Sequence, residues 1–110
     1  MTAPLDERAC VPCKGGVPPL AEDTISGLLQ QVHEGWAVVD GHHLQRRFAF
    51  SNFADALAFT NRVGAVAEAE GHHPDIFLTW GKVRIEIWTH AIDGLTESDF
   101  ILAAKIDRLA

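Results

Sequence analysis

Apolar residues recur at two spacings along this chain, and the switches between them mark out its elements. Ile25, Leu28, Leu29 and Val32 form one stripe at helical spacing. Glu22 and Asp23 suit the first turn of that helix, and Gly35 is expected to close it as a C-cap. Trp36 to Val39 reads as a short strand, Asp40-Gly41 as a tight hairpin turn, and about His43 to Phe50 as the return strand. Leu44, Phe48 and Phe50 share one face of it, although Arg46 has the same parity. His42 and His43 flank the turn and read as solvated turn residues. A second helix, capped by Ser51 or Asn52, is expected to bury Phe53, Ala56, Leu57, Thr60, Val63 and Ala67. Glu68 falls in its last turn, and Gly71 ends it.

A second hairpin follows, Ile76 to Trp80 and Val83 to His90, turning at Gly81-Lys82. Val83, Ile85, Ile87 and Thr89 share one face of its return strand, and Arg84, Glu86, Trp88 and His90 the other. Thr96 begins a last helix with Asp99 three residues on, the spacing of a capping box. Phe100, Ile101, Leu102, Ala103, Ala104, Ile106 and Leu109 cover more than one face of this helix, so it is expected to meet a second partner. The order is α-β-β-α-β-β-α. Because both strand pairs are hairpins, the expected fold class is α+β: a four-stranded antiparallel sheet with helices packed on one face. Residues 1–19 hold four of the five prolines and read as a flexible Cys/Pro/Gly arm. Residues 20–110 read as the domain.

Composition narrows the function classes. A chain of 110 residues with 47% hydrophobic and 22% charged residues suits one ordinary globular domain. A net charge of −6 argues against a nucleic-acid partner. No apolar run approaches the ~20 residues of a membrane span. Met1 to Arg8 lacks the apolar stretch of a signal peptide, so a cytoplasmic location is expected. Cys10-Val-Pro-Cys13 admits two readings, half of a metal or redox motif, or a reduced pair on an arm. No second Cys pair completes a four-ligand zinc site.

The candidate chemistry gathers in residues 68 to 99. Glu68 precedes His72-His73-Pro74-Asp75, and His90 and Asp99 follow. Proline fixes its own backbone and pushes His73 towards an extended conformation, so the segment is stiff where two imidazoles must be aimed. An acid in the last turn of a helix opposes the helix dipole, which hints at another task for Glu68. Each residue also has a plain reading. Asp99 serves as a helix cap, Glu68 as a surface acid, and Trp36 and Trp80 as core residues. His72, His73, His90 and Glu68 are also metal-ligand types, but adjacent histidines on an extended segment point in opposite directions, so no metal site is expected.

This register resembles the pterin-4a-carbinolamine dehydratase family: an acid, His-His-Pro, an aromatic at Trp80, a His at the end of the next strand and an Asp beyond. The likeness runs over residues 18 to 110 and takes in Gly35-Trp36, Phe48 to Phe53 and Ala103 to Asp107. One departure is Ile76, where the family often has an aromatic.

The resemblance implies a hydro-lyase without a cofactor. It would remove water from 4a-hydroxytetrahydropterin to give quinonoid dihydropterin, recycling the cofactor of an aromatic amino acid hydroxylase. Histidine titrates near neutrality and serves as acid or base. By resemblance His72, His73 and His90 carry the acid–base work, and Glu68 and Asp99 orient them. Pro74, Asp75, Phe77, Trp80, Thr89 and Trp36 would contact the substrate. The family's members form homodimers or homotetramers. Its folds also serve as non-catalytic binding proteins, an assembly factor for the carbon-fixing carboxylase or a coactivator, and that is the alternative function.

Overall fold

The computed structural model describes residues 3–11 and 15–110, so Cys13 lies outside the described residues. Helix α1 spans Glu22–Leu29, α2 Phe53–Glu70 and α3 Glu97–Asp107. Strands β1 (Ala37–Val39), β2 (His43–Ala49), β3 (Asp75–Leu78) and β4 (Lys82–Ile87) form one sheet in the order β1-β2-β4-β3, antiparallel throughout. The two hairpins thus join through their return strands, with Leu44 opposite Ile87 and Phe48 opposite Val83. Leu44, Phe48, Val83, Ile85 and Ile87 point to the helices and are at most 7% exposed. Burying such a side chain contributes roughly 1.5–3 kcal/mol. The opposite face carries Gln45, Arg47, Arg84 and Glu86, as the alternation along each strand requires.

Arg46, out of place by parity, is explained by its partners. Its guanidinium donates to Asp107 Oδ1 and lies 4.3 Å over the Phe48 ring. Asn52 caps α2, accepting from the Asp55 N–H, and Gly71 ends it in the left-handed conformation at φ 65°.

Four details depart from the sequence reading. Helix α1 stops at Leu29, short of Gly35. Gly35 instead allows close approach, since a Cβ there would lie 3.0 Å from Arg46 Nε. On helix α2, Ala56, Val63 and Ala67 are buried as expected, but the rest of the buried face is shifted. Phe53 and Leu57 are 44% and 40% exposed, while Phe59 is fully buried. Two apolar stripes compete on that helix, and the one carrying Phe59 wins because its ring fits against Phe48 and Phe50 (centroids 4.6 and 5.2 Å apart). Strand β4 ends at Ile87, three residues early, because Thr89 bridges back to Gly94 around a 3-10 turn, His90–Ile92.

The fourth concerns the N-terminal segment. Residues 5–7 form a 3-10 turn whose Leu5 is 3% exposed and belongs to the core. The Cys10 N–H donates to Glu70 and the Val11 N–H to Ser98. The second partner that the broad apolar surface of α3 called for is therefore this segment of the same chain. Residues 3–11 are seated, and the core extends beyond residues 20–110.

Candidate active site

The chain leaves α2 through Gly71 and returns to the sheet at Asp75. His72 and His73 stand in that connector and turn to different carboxylates. His72 Nε2 lies 2.5 Å from Asp99 Oδ1, and His73 Nε2 lies 3.0 Å from Glu68 Oε2. The two pairs differ in surroundings. The side chains of His72 and Asp99 are 14% and 0% exposed, those of His73 and Glu68 60% and 82%.

Asp99 is held from three sides. Its Oδ2 accepts from the Thr96 N–H and the Thr89 hydroxyl, while Oδ1 accepts from His72. The capping box of α3 and the histidine contact thus share one carboxylate. An ionised carboxylate only accepts, so His72 donates Nε2–H. In the neutral ring the lone pair then rests on Nδ1. By the same argument His73 donates Nε2–H to Glu68 and keeps its acceptor on Nδ1. Each imidazole is thus oriented by a carboxylate, in a buried pair at His72 and an exposed one at His73, and keeps its other ring nitrogen for proton transfer.

His72 and His73 line a cleft of about 230 Å³ with Gly71, Trp88, Thr89, His90 and Ala91. His90 does not end a strand; it opens the turn after β4 and packs 4.5 Å from the Trp88 indole. The cleft is open and lies below the roughly 300–1,000 Å³ of drug-sized sites. A larger hollow of about 590 Å³ surrounds Trp80, but its walls, among them Ala49, Phe50 and Lys82, carry no histidine.

The structure brings His72, His73, Thr89 and His90 to one cleft and sets Glu68 and Asp99 behind its imidazoles. Pro74 and Asp75 follow at the start of β3, half-buried. Phe77 lies on the outer sheet face under the Arg84 guanidinium, 4.0 Å from its ring centre. Trp80 is 68% exposed in the β3–β4 turn. Trp36 is 3% exposed and donates its indole N–H to Asp107. Neither of these two tryptophans lines the cleft. Trp88 does, and the sequence reading passed over it. His42 and His43, expected to be solvated turn residues, are instead half-buried, with rings 5.3 and 5.8 Å from the Trp88 indole. Alternation put Trp88 on the same strand face as His90, which was the available signal. The approach of His43 depends on the pairing of β2 with β4, whose terminal pair, Leu44–Ile87, adjoins His43 on one strand and Trp88 beyond the other.

Among the described residues no three His, Cys, Asp or Glu side chains are grouped to hold a metal ion. Among the described residues no helix is long and apolar enough to cross a membrane.

Known proteins identify the family. Residues 18–109 match the family model described as pterin 4 alpha carbinolamine dehydratase. A relative from Rubrobacter xylanophilus, named as a putative pterin-4-alpha-carbinolamine dehydratase, is 59% identical over 96% of this chain and 97% of its own. One of the same name from Alkaliphilus metalliredigens is 55% identical over 94% of each. Among solved structures, a transcriptional coactivator/pterin dehydratase from Brucella melitensis superposes with a TM-score of 0.78. It is 32% identical and covers 84% of this chain and 98% of its own. A pterin dehydratase-like protein identified as a RuBisCO assembly factor in the alpha-carboxysome gives 0.61 at 31% identity, over 71% of this chain and 92% of its own. With the family model spanning most of the sequence and the α-β-β-α-β-β-α fold in place, the chain belongs to the pterin 4 alpha carbinolamine dehydratase family.

Proposed function

We propose that this protein dehydrates 4a-hydroxytetrahydropterin, with the imidazoles of the cleft as general acid and base. The observation that carries the reading is the His72–Asp99 pair at 2.5 Å, fully buried at the carboxylate, beside His73 and His90 in one cleft. The 4a-hydroxyl is a poor leaving group as hydroxide. An imidazolium gives it a proton as the C–O bond breaks, and water departs. A neutral imidazole takes a proton from a ring nitrogen, so the pterin loses one water in all. Asp99 and Glu68 hold the tautomers that make both transfers available. Each such group commonly contributes ~10²–10⁴ in rate.

Pro74 and Asp75 belong to this proposal as residues that set the connector's path. Phe77, Trp80 and Trp36, which the resemblance offers as substrate contacts, are not carried into it, because none of them lines the cleft of this chain. The recycling of a hydroxylase cofactor and a homodimer or homotetramer are part of the same reading. Exposed Phe53 and Leu57 on α2 support the oligomer. Sedimentation at micromolar concentration tests it, and a sole 12.0 kDa species would refute it.

The likeness to a RuBisCO assembly factor favours a second reading, a binding protein without catalysis. A dehydration assay with freshly generated 4a-hydroxytetrahydropterin, on metal-free protein, separates the two. The dehydratase reading expects a rate well above the spontaneous reaction; the spontaneous rate alone would leave the binding reading.

A further inference from the structure

The turn between β1 and β2 reaches the cleft through a chain of contacts that the acid–base set does not use. His42 stands in that turn. Its Nε2 lies 2.6 Å from Asp93 Oδ1, and its Nδ1 lies 3.0 Å from His43 Nδ1. Asp93 closes the 3-10 turn His90–Ile92, which carries His90 and Ala91 of the cleft wall. One hydrogen bond therefore ties the hairpin turn to the turn that bears His90. Both histidines also stand against Trp88, which packs on His90 from within the cleft wall.

Donor and acceptor chemistry orders this chain. The Asp93 carboxylate accepts, so His42 donates Nε2–H, and neutral His42 has its lone pair on Nδ1. His43 must then donate Nδ1–H to it. The chain Asp93–His42–His43 thus has a consistent donor order and orients two rings against the indole, with His42 half-buried and the Asp93 side chain 85% exposed. Asp93 adopts φ 51°, in the left-handed region where glycine sits without penalty. Aspartate is one of the few side chains that visits this conformation, and here it provides the carboxylate that meets His42.

We propose that Asp93 and His42 are positioning residues of the cleft. They clamp the His90 turn to the β1–β2 hairpin and, with His43, brace Trp88, so that His90 and the indole present a fixed wall to a flat heterocycle. The nature of that heterocycle rests on the dehydratase reading; the clamp does not.

The decisive variant is Asp93→Gly in the full chain. It removes the carboxylate while relieving the backbone, so a loss of folding does not confuse the result. Asp93→Asn keeps an oxygen for the His42 N–H and serves as the conservative rescue. Imidazole nitrogen NMR reads the tautomers of His42, His43 and His90, and a titration with 7,8-dihydrobiopterin reads pterin affinity. Asp93→Gly is expected to melt no lower than the parent. It is expected to lose the His42 and His43 tautomer preference, to shift the His90 signals and to weaken dihydrobiopterin about fivefold, the loss that one hydrogen bond of ordinary worth gives. KM for the carbinolamine should rise by a similar factor with kcat changed less, and Asp93→Asn should lie near the parent. Unchanged His90 signals and unchanged pterin affinity in Asp93→Gly would overturn the clamp. If the parent binds dihydrobiopterin but shows no dehydration, the dehydratase reading falls while the NMR and binding results still decide the clamp.

Discussion

His72 and Asp99 meet at 2.5 Å through a carboxylate that is also the N3 residue of the capping box of α3. One side chain therefore fixes the start of a helix and the tautomer of a cleft imidazole. The coupling is direct, because Asp99 is fully buried and all its partners are donors: His72, Thr89 and the Thr96 N–H.

Asp99→Asn should damage stability and chemistry together. The amide keeps one accepting oxygen and turns an NH2 towards donors. Each buried group left without its partner costs about 1–3 kcal/mol. The unfolding midpoint in urea should fall accordingly, and the dehydration rate of the remaining folded protein should drop. A variant as stable and as active as the parent would contradict this placement of Asp99.

Asp107 gives the opposite pattern, stability without chemistry. It accepts from the Arg46 guanidinium, the Trp36 indole and the His33 backbone N–H. The side chain of Arg46 is only 11% exposed. Asp107→Ala leaves that charge largely buried without its partner, which costs about 3–5 kcal/mol. Activity per folded molecule is expected to hold. If Asp107→Ala instead raised KM with stability unchanged, Trp36 would belong with the substrate contacts after all.

Most of the fold was legible because its signals are local. Asp40-Gly41, Asn52, Gly71 and the Thr96/Asp99 box each mark a boundary through their own chemistry, and the strand alternation gave the buried face of β4 residue by residue. The errors arose where the outcome depended on distant partners. Nothing near Phe59 in sequence says that Phe48 and Phe50 will receive its ring, so helical spacing alone points to Phe53 and Leu57 instead. Leu5 stands in a Pro- and Gly-rich segment and does not show that α3 will cover it. At the site, Glu68, His72, His73, His90 and Asp99 were visible as a register. Trp88, His42 and Asp93 were not, because they converge only once β2 lies beside β4 and the 3-10 turn is formed. For the same reason His42 and His43 do not serve as inert controls for cleft variants.

The N-terminal segment should matter through Leu5 rather than through its thiols. Leu5→Ala removes a core side chain and is expected to cost ~2–4 kcal/mol, read by denaturant unfolding. The double variant Cys10→Ala/Cys13→Ala should keep its dehydration rate. Loss of catalysis in that variant, with folding intact, would count against this division.

Cys10 also gives a pH signature. Burial pushes its thiol from 9.0 up to about 12, and the nearby Glu70 carboxylate adds to the shift. As pH rises from about 9 towards 12, the unfolded chain releases this proton and the folded one keeps it. The stabilisation present below pH 9 is thus lost across that window. Glu70 works in the other direction. The Cys10 backbone N–H, and then Lys105, hold it below its ordinary 4.5, so its contribution is present above that pH and disappears on acidification. In a Cys13→Ser background, iodoacetamide at mildly alkaline pH should label Cys10 rapidly only in denaturant. Rapid labelling of the folded protein would show that the segment does not shield the thiol.

The central claim is that the cleft of His72, His73 and His90 does acid–base chemistry on a pterin. The most direct measurement is the dehydration rate of freshly generated 4a-hydroxytetrahydropterin with the parent, with His73→Ala/His90→Ala, and with Trp80→Ala as a control from outside the cleft. All three must be shown to be folded and free of metal. The expected result is a parent rate far above the spontaneous one, a loss of ~10²–10⁴ in the double variant and little change in Trp80→Ala. A double variant that keeps the parent's rate would contradict the account.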